Sequence, residues 1–166
     1  MPRGTKRKRG FENNAGFYQN CADLSTRGVL RSQLGAWLQS LIQTTPPHVW
    51  LLSGELGAGK TTLVQALGTL LGVTSDITSP TFSLQKIHPL RGQHWDRLVH
   101  LDAYRLKSLS EIAALELPEY IADPSSLVVV EWPERLSGVS WGPHLRLRIT
   151  KTSRLDRRDV QITVGG

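Results

Sequence analysis

The spacing of apolar residues changes along the chain, and each change marks a predicted element. Continuous apolar runs at Val49–Ser53 and at 127–130 have the length of strands, and the second is typical of a strand covered on both faces. Alternating apolar and polar residues over 145–150 and 160–164 predict antiparallel strands with one solvated face. Two stripes at helical spacing predict two helices; they consist of Leu30, Leu34, Trp37, Leu38, Leu41 and Ile42, and of Leu63, Ala66, Leu67, Leu70 and Leu71.

Shorter signals occupy the rest of the chain. Further strands are predicted near 81–87 and over 98–102, with a polar loop between them. Ser110 can cap a short helix, and Pro118 begins another helical turn. Helical and extended patterns therefore follow one another along the sequence, which indicates an α/β fold.

Composition bounds the organisation. The chain has 166 residues, 39% of them hydrophobic, which suits one globular domain, and no apolar run is long enough to span a bilayer. Five of the six net positive charges lie in the first ten residues, so the remainder is nearly neutral. We therefore expect a basic, disordered leader at 1–22 and one domain at 23–166. The leader is either a solvated extension, which we favour, or an arm that contacts nucleic acid.

The cysteine content gives a weak indication of location. Cys21 is the only cysteine, so no disulfide can form within the chain. A reducing, cytoplasmic setting fits this composition, and the N-terminus lacks the apolar region of a secretory signal.

The segment 54–61 reads G-x-x-x-x-G-K-T, the pattern of a phosphate-binding loop. Its glycines let consecutive backbone N–H groups turn towards phosphate oxygens, Lys60 adds a positive charge, and the Thr61 hydroxyl can bind Mg²⁺. The loop follows a predicted buried strand and begins a predicted helix, which is the context the motif requires. We expect the nucleotide to contact Glu55, Leu56, Gly57, Ala58, Gly59, Lys60, Thr61 and Thr62.

Two acidic residues follow predicted strands, Asp102 after 98–101 and Glu131 after 127–130. If the strands are parallel, both acids lie beside the phosphate loop at one sheet edge, where they can hold Mg²⁺ or orient water. The alternatives are that Asp102 only caps the following turn and that Glu131 pairs with Arg135. The phosphate loop favours the chemical roles.

Other residues near these motifs are candidates with plain structural alternatives. Thr81, in the loop after the second helix, is a candidate sensor of the γ-phosphate, or part of a proline-containing turn. Trp132 is a candidate for stacking on a base or a partner, or a packing residue. His100 is expected to be a structural histidine.

Four motifs together resemble the bacterial TsaE family, the small P-loop ATPases of tRNA threonylcarbamoyladenosine (t⁶A) biosynthesis. They are GELGAGKTTL at 54–63, SPTF at 79–82, HLDAYRL at 100–106 and EWPE at 131–134, and the resemblance extends from about Leu24 to the C-terminus. One departure is Arg31, which stands where family members often carry a threonine close to the adenine.

The resemblance implies a compact α/β P-loop domain with a mixed sheet. Together with the patterns above, it predicts a mainly parallel sheet with antiparallel C-terminal strands. It also implies ATP and Mg²⁺ as cofactors, with Thr61 and Glu131 as Mg²⁺ ligands. Lys60, Asp102, Glu131 and Thr81 are then the catalytic residues.

The implied role is accessory: the protein supports TsaD and TsaB, which place threonylcarbamoyl on adenosine 37, and it meets tRNA indirectly through that complex. Two alternatives stay open. The first is a small P-loop kinase, with the late cluster of Arg154, Arg157 and Arg158 as its lid. The second is an ATP-gated binding module in which hydrolysis is incidental.

Overall fold

A single mixed sheet of seven strands forms the centre of the protein. The computed structural model describes residues 25–80, 84–91, 94–106, 111, 113 and 115–166. Within these ranges the strands are β1 Thr26–Leu30, β2 Val49–Ser53, β3 Gln85–Pro89, β4 Arg97–Asp102, β5 Ser126–Glu131, β6 His144–Lys151 and β7 Arg157–Gly165. The helices are α1 Leu34–Gln43, α2 Lys60–Leu70 and α3 Leu117–Ala122, with short 3-10 helices at Arg31–Gln33, Ala103–Arg105 and Pro133–Arg135.

The strand order is β1-β7-β6-β2-β5-β4-β3. The four central strands β6, β2, β5 and β4 run parallel to one another, while β3 pairs antiparallel with β4 on one side and β7 and β1 continue the sheet antiparallel from β6 on the other. This confirms the predicted α/β fold with a mixed, mainly parallel sheet. The C-terminal strands pair antiparallel with each other as predicted, and β6 also joins the parallel part by pairing with β2.

Both faces of the central strands are covered. Trp50, Leu52 and Val129 pack in one cluster with residues of α1 and α2. Val49 and Leu51 belong to a second cluster on the opposite face, which includes residues of α3 and of the segment after β5. Burial on both sides explains why β2 and β5 are continuous apolar runs rather than alternating ones.

Two predicted elements begin at different places. Leu30 ends β1 instead of beginning the first helix, which starts at Leu34 after a 3-10 turn. β1 was not predicted, because Gly28 has a φ of +66° and the register with β7 shifts there, which interrupts a simple alternation.

The strand predicted near 81–87 is observed at Gln85–Pro89. Residues 81–83, the leader at 1–22 and Ser110 lie outside the described residues.

Membrane-spanning helices are not found in the described ranges. Each helix there is too short or too polar to cross a bilayer.

His88 generates a prediction about acid stability. Burial lowers the pKa of this imidazole from its ordinary value of 6.5, and the nearby His100 and Lys86 act in the same direction. As the pH falls through 6.5, the unfolded chain binds a proton that the folded chain resists, so the free energy of unfolding decreases. We expect His88→Gln to flatten this decrease between about pH 7 and pH 5, measured by urea unfolding. A variant as steep as the wild type would contradict this assignment, and His94→Gln at an exposed position is the matched control.

Candidate functional site

The phosphate loop at 54–61 connects β2 to α2 and depends on glycine at three positions. Gly54, Gly57 and Gly59 have φ values of +146°, +74° and +105°, which side chains with a Cβ rarely adopt. A Cβ on Gly54 would also collide with the carbonyl oxygen of Ile149. The glycines of the motif are therefore required by the backbone path, and Gly59 leads directly into the first turn of α2.

Lys60 lies under the loop with only 4% of its surface exposed. Its Nζ donates hydrogen bonds to the carbonyl oxygens of Gly54 at 2.7 Å and Glu55 at 3.0 Å. Burial lowers the pKa of this ammonium group. Three carboxylates oppose that shift, those of Glu131, Glu134 and Asp102. The predicted acids therefore lie close enough to the lysine for their charge to act on it.

Glu131 is the buried centre of the site, with 2% of its surface exposed. The Thr61 hydroxyl donates to its two carboxylate oxygens at 2.9 and 3.0 Å. The fully buried His100 lies with Nε2 at 2.9 Å from Oε1, and because a carboxylate only accepts, this nitrogen carries the proton of the bond. Residues from α2, β4 and β5 thus meet at one carboxylate.

Asp102 stands directly beside Glu131 in the parallel register of β4 and β5. Ser79 Oγ donates to its Oδ2 at 2.6 Å, and the backbone N–H of Tyr104 donates to Oδ1 at 3.0 Å. Asp102 therefore caps the following 3-10 helix and also holds the segment that leads towards Thr81, itself outside the described residues.

The pairing of Glu131 with Arg135 is not what the structure describes. Glu131 bonds Thr61 and His100, whereas the guanidinium of Arg135 lies over the ring of Tyr104 at 5.7 Å. His100, expected to be a structural histidine, is fully buried and hydrogen-bonded, and its partner is the Glu131 carboxylate. Its position two residues before Asp102 on the same strand was the available sequence signal.

Aromatic rings cover the lysine. Lys60 Nζ lies 3.8 Å from the centre of the Trp132 ring, and the Tyr104 ring packs against Trp132 with centroids 5.0 Å apart. Trp132 has a left-handed backbone with φ of +59°, an uncommon conformation for a bulky residue. The ring is thereby directed at the ammonium group instead of continuing the strand.

The oxygen atoms at this edge fit Mg²⁺. Among the described residues, no three His, Cys, Asp or Glu side chains gather into a metal site of their own. Magnesium at nucleotide sites needs only one or two protein oxygens, because phosphates and water complete its shell. The Thr61 hydroxyl and the Glu131 carboxylate supply such a pair. The nucleotide contacts predicted for all eight residues stay predictions; they are Glu55, Leu56, Gly57, Ala58, Gly59, Lys60, Thr61 and Thr62.

Comparison with known proteins agrees with these motifs. A family model described as "Threonylcarbamoyl adenosine biosynthesis protein TsaE" matches residues 30–160. The chain belongs to the TsaE family. This confirms the resemblance drawn from the four motifs, which all lie inside the matched range.

Named TsaE relatives are similar over most of the chain. The tRNA threonylcarbamoyladenosine biosynthesis protein TsaE of Streptomyces coelicolor is 48% identical over 120 residues, which cover 72% of this chain and 78% of that protein. The TsaE protein of Mycobacterium tuberculosis H37Rv is 40% identical over 116 residues, or 66% of this chain and 68% of that protein. The crystal structure of Bacillus subtilis YdiB matches with a TM-score of 0.62 and 25% identity, covering 85% of both chains.

The two roles of Asp102 can be separated by substitution. Asp102→Ala removes the cap and should lower the free energy of unfolding by about 0.5–2 kcal/mol, whereas Asp102→Asn keeps an acceptor oxygen and should lose less. If the charge matters for chemistry, both variants lose nucleotide hydrolysis. Urea unfolding and phosphate release measure the two effects. Wild-type hydrolysis by Asp102→Asn would leave Asp102 with structural roles alone, the cap at Tyr104 and the bond from Ser79.

Proposed function

We propose that this TsaE-family protein is a Mg²⁺-dependent ATP hydrolase that supports threonylcarbamoyladenosine formation in tRNA. The observation that carries the proposal is the bond between Thr61 and the buried Glu131 beside Lys60. A hydroxyl, a carboxylate and an ammonium group at the mouth of a phosphate loop match the parts that P-loop hydrolases use.

Each residue has a distinct part in the proposed chemistry. The loop amides and Lys60 would bind the polyphosphate and offset its negative charge. Thr61 and Glu131 would hold Mg²⁺, which when bound withdraws electron density from the phosphate oxygens. Asp102, one strand away, is suited to orient an attacking water through an oxygen of its carboxylate.

The burial of Glu131 favours this assignment. A carboxylate removed from water is costly unless charges or hydrogen bonds compensate it. Hydrogen bonds from Thr61 and His100 and the nearby Lys60 ammonium supply compensation, and His100 fixes the orientation of the carboxylate. A purely structural acid at a strand end would more commonly face solvent.

The biological role rests on family membership. The relatives bear the name of tRNA threonylcarbamoyladenosine biosynthesis, and we extend that role to this chain. We propose that it acts as an accessory to a TsaD–TsaB transferase complex and meets tRNA through that complex. ATP as the nucleotide also follows from the family, since a phosphate loop recognises phosphates rather than the base.

Hydrolysis and binding should respond differently at two positions. We expect Glu131→Gln to lower the rate of ATP hydrolysis about 10²–10³-fold while it retains nucleotide binding, because it keeps the shape and removes the charge. Lys60→Ala should weaken both. Phosphate release and calorimetric titration with ADP measure the two properties, and a Glu131→Gln enzyme with wild-type turnover would contradict the assignment.

The cellular role is tested by replacing the gene with these variants. The t⁶A content of tRNA, measured by mass spectrometry of nucleosides, should fall when the protein is depleted and recover with the wild type but not with Glu131→Gln. Full recovery with the hydrolysis-deficient variant would favour the ATP-gated binding module. Normal t⁶A in depleted cells would contradict the pathway and leave the hydrolase activity a separate question.

A further inference from the structure

Two cations from the C-terminal hairpin contact the outer side of the phosphate loop. Lys151 Nζ donates to the carbonyl oxygen of Leu56 at 2.8 Å, and Arg158 Nε donates to the carbonyl oxygen of Ala58 at 2.8 Å. These loop residues are about one hundred positions away in sequence. The contacts therefore connect the phosphate loop to a hairpin that is distant in sequence.

Both cations lie on strands that are paired within the sheet. Lys151 and Arg158 are directly opposed partners at the end of the antiparallel β6–β7 ladder, and β6 pairs with β2, the strand that leads into the loop. The Arg158 guanidinium also donates to the carbonyl oxygens of Leu155 and Arg157 through Nη1, at 2.9 and 2.6 Å. It is thus anchored on the hairpin side as well as on the loop side.

The pairing of two like charges is unfavourable by itself. Cations directly opposite one another in a ladder repel, so the pair lowers stability unless each finds an acceptor. The carbonyl oxygens of the phosphate loop are those acceptors, with Glu55 a further 3.6 Å contact for Lys151. A position that breaks a rule of sheet pairing while serving a site is more readily explained by function than by stability.

Peptide geometry links these contacts to anion binding. In a planar trans peptide, the carbonyl of one residue and the N–H of the next point in opposite directions. Because Lys151 bonds the Leu56 carbonyl, the Gly57 N–H points away from Lys151, and the Gly59 N–H points away from Arg158, which bonds the Ala58 carbonyl, for the same reason. Gly57 and Gly59 have no side chain, so their backbones can adopt the positive φ values that these peptide orientations require.

We propose that Lys151 and Arg158 are positioning residues that hold the amides of Gly57 and Gly59 towards a bound polyphosphate. The inference rests on the proposed nucleotide binding and adds two residues outside the phosphate-loop motif. It also gives Arg158, one of the three late arginines, a role other than part of a kinase lid, because its guanidinium bonds the loop backbone.

Alanine variants test this bracing in the full-length protein. Arg158→Ala should weaken ADP affinity about tenfold, because it removes a charge-assisted hydrogen bond that holds the loop. Part of the binding free energy must then be used to order the loop. Lys151→Ala should weaken affinity less, about threefold, since its side chain is 42% exposed. The KM for ATP should rise with kcat at saturation largely unchanged, and hydrogen exchange of the Gly57 and Gly59 amides should accelerate.

The matched control removes the same charge from the same hairpin turn. Arg154 forms an exposed ion pair with Asp156 at 3.6 Å and contacts no loop carbonyl among its described bonds. Arg154→Ala should keep ADP affinity within about twofold of the wild type, which separates bracing from general attraction between charges. Arg158→Lys and Lys151→Arg each retain a charged donor and should recover part of the lost affinity.

The outcomes are distinguishable. The bracing role is overturned if the two variants Arg158→Ala and Arg154→Ala have the same ADP affinity, whether that affinity equals the wild-type value or is lower. If Arg158→Ala fails to fold, Lys151→Ala and Arg158→Gln decide the same question. A wild-type protein that binds no ADP would overturn the proposed function itself, whereas tight wild-type binding with no effect of these variants overturns only the bracing.

Discussion

The buried Glu131 carboxylate is the constraint on which the arrangement of the site depends. An anion with 2% exposure is stable only if surrounding groups replace the water it has lost. Here α2 supplies the Thr61 hydroxyl and β4 supplies His100, while the Lys60 ammonium lies near enough to interact electrostatically. The parallel pairing of β2, β5 and β4 brings these elements to one edge of the sheet, so the strand order determines which side chains meet at the site.

The loop above this carboxylate is held from several directions. Its glycines adopt conformations closed to most residues, Lys60 bonds it from beneath, and the hairpin cations bond it from outside. Trp132 covers the lysine in a left-handed backbone conformation of the kind that is retained where surrounding structure and function support it. Preorganisation of this sort reduces the ordering that nucleotide binding would otherwise require.

Local patterns predicted the elements whose apolar residues follow a single regular spacing, either helical or extended. β2 was predicted at its observed bounds and β5 within one residue at each end, because burial on both faces gives continuous apolar runs, and α2 followed from a clean helical stripe. β1 was missed because a glycine and a register shift interrupt it. The parallel pairing of β6 with β2 was also not predicted, since alternation records solvation of a face and not the direction of a neighbour.

The candidate site divides in the same way. The phosphate loop, Asp102 and Glu131 were predicted because a motif or a strand end identifies them. His100 contacts Glu131, and Lys151 and Arg158 contact the loop, across long sequence separations, and one sequence does not show which of these residues meet. The most direct test is a crystal structure of the protein soaked with ADP and Mg²⁺. The account predicts the phosphates within the loop and the ion about 2.0–2.1 Å from Thr61 Oγ1, with Glu131 bound to it directly or through one water. A nucleotide bound elsewhere, or an ion remote from both residues, would contradict it.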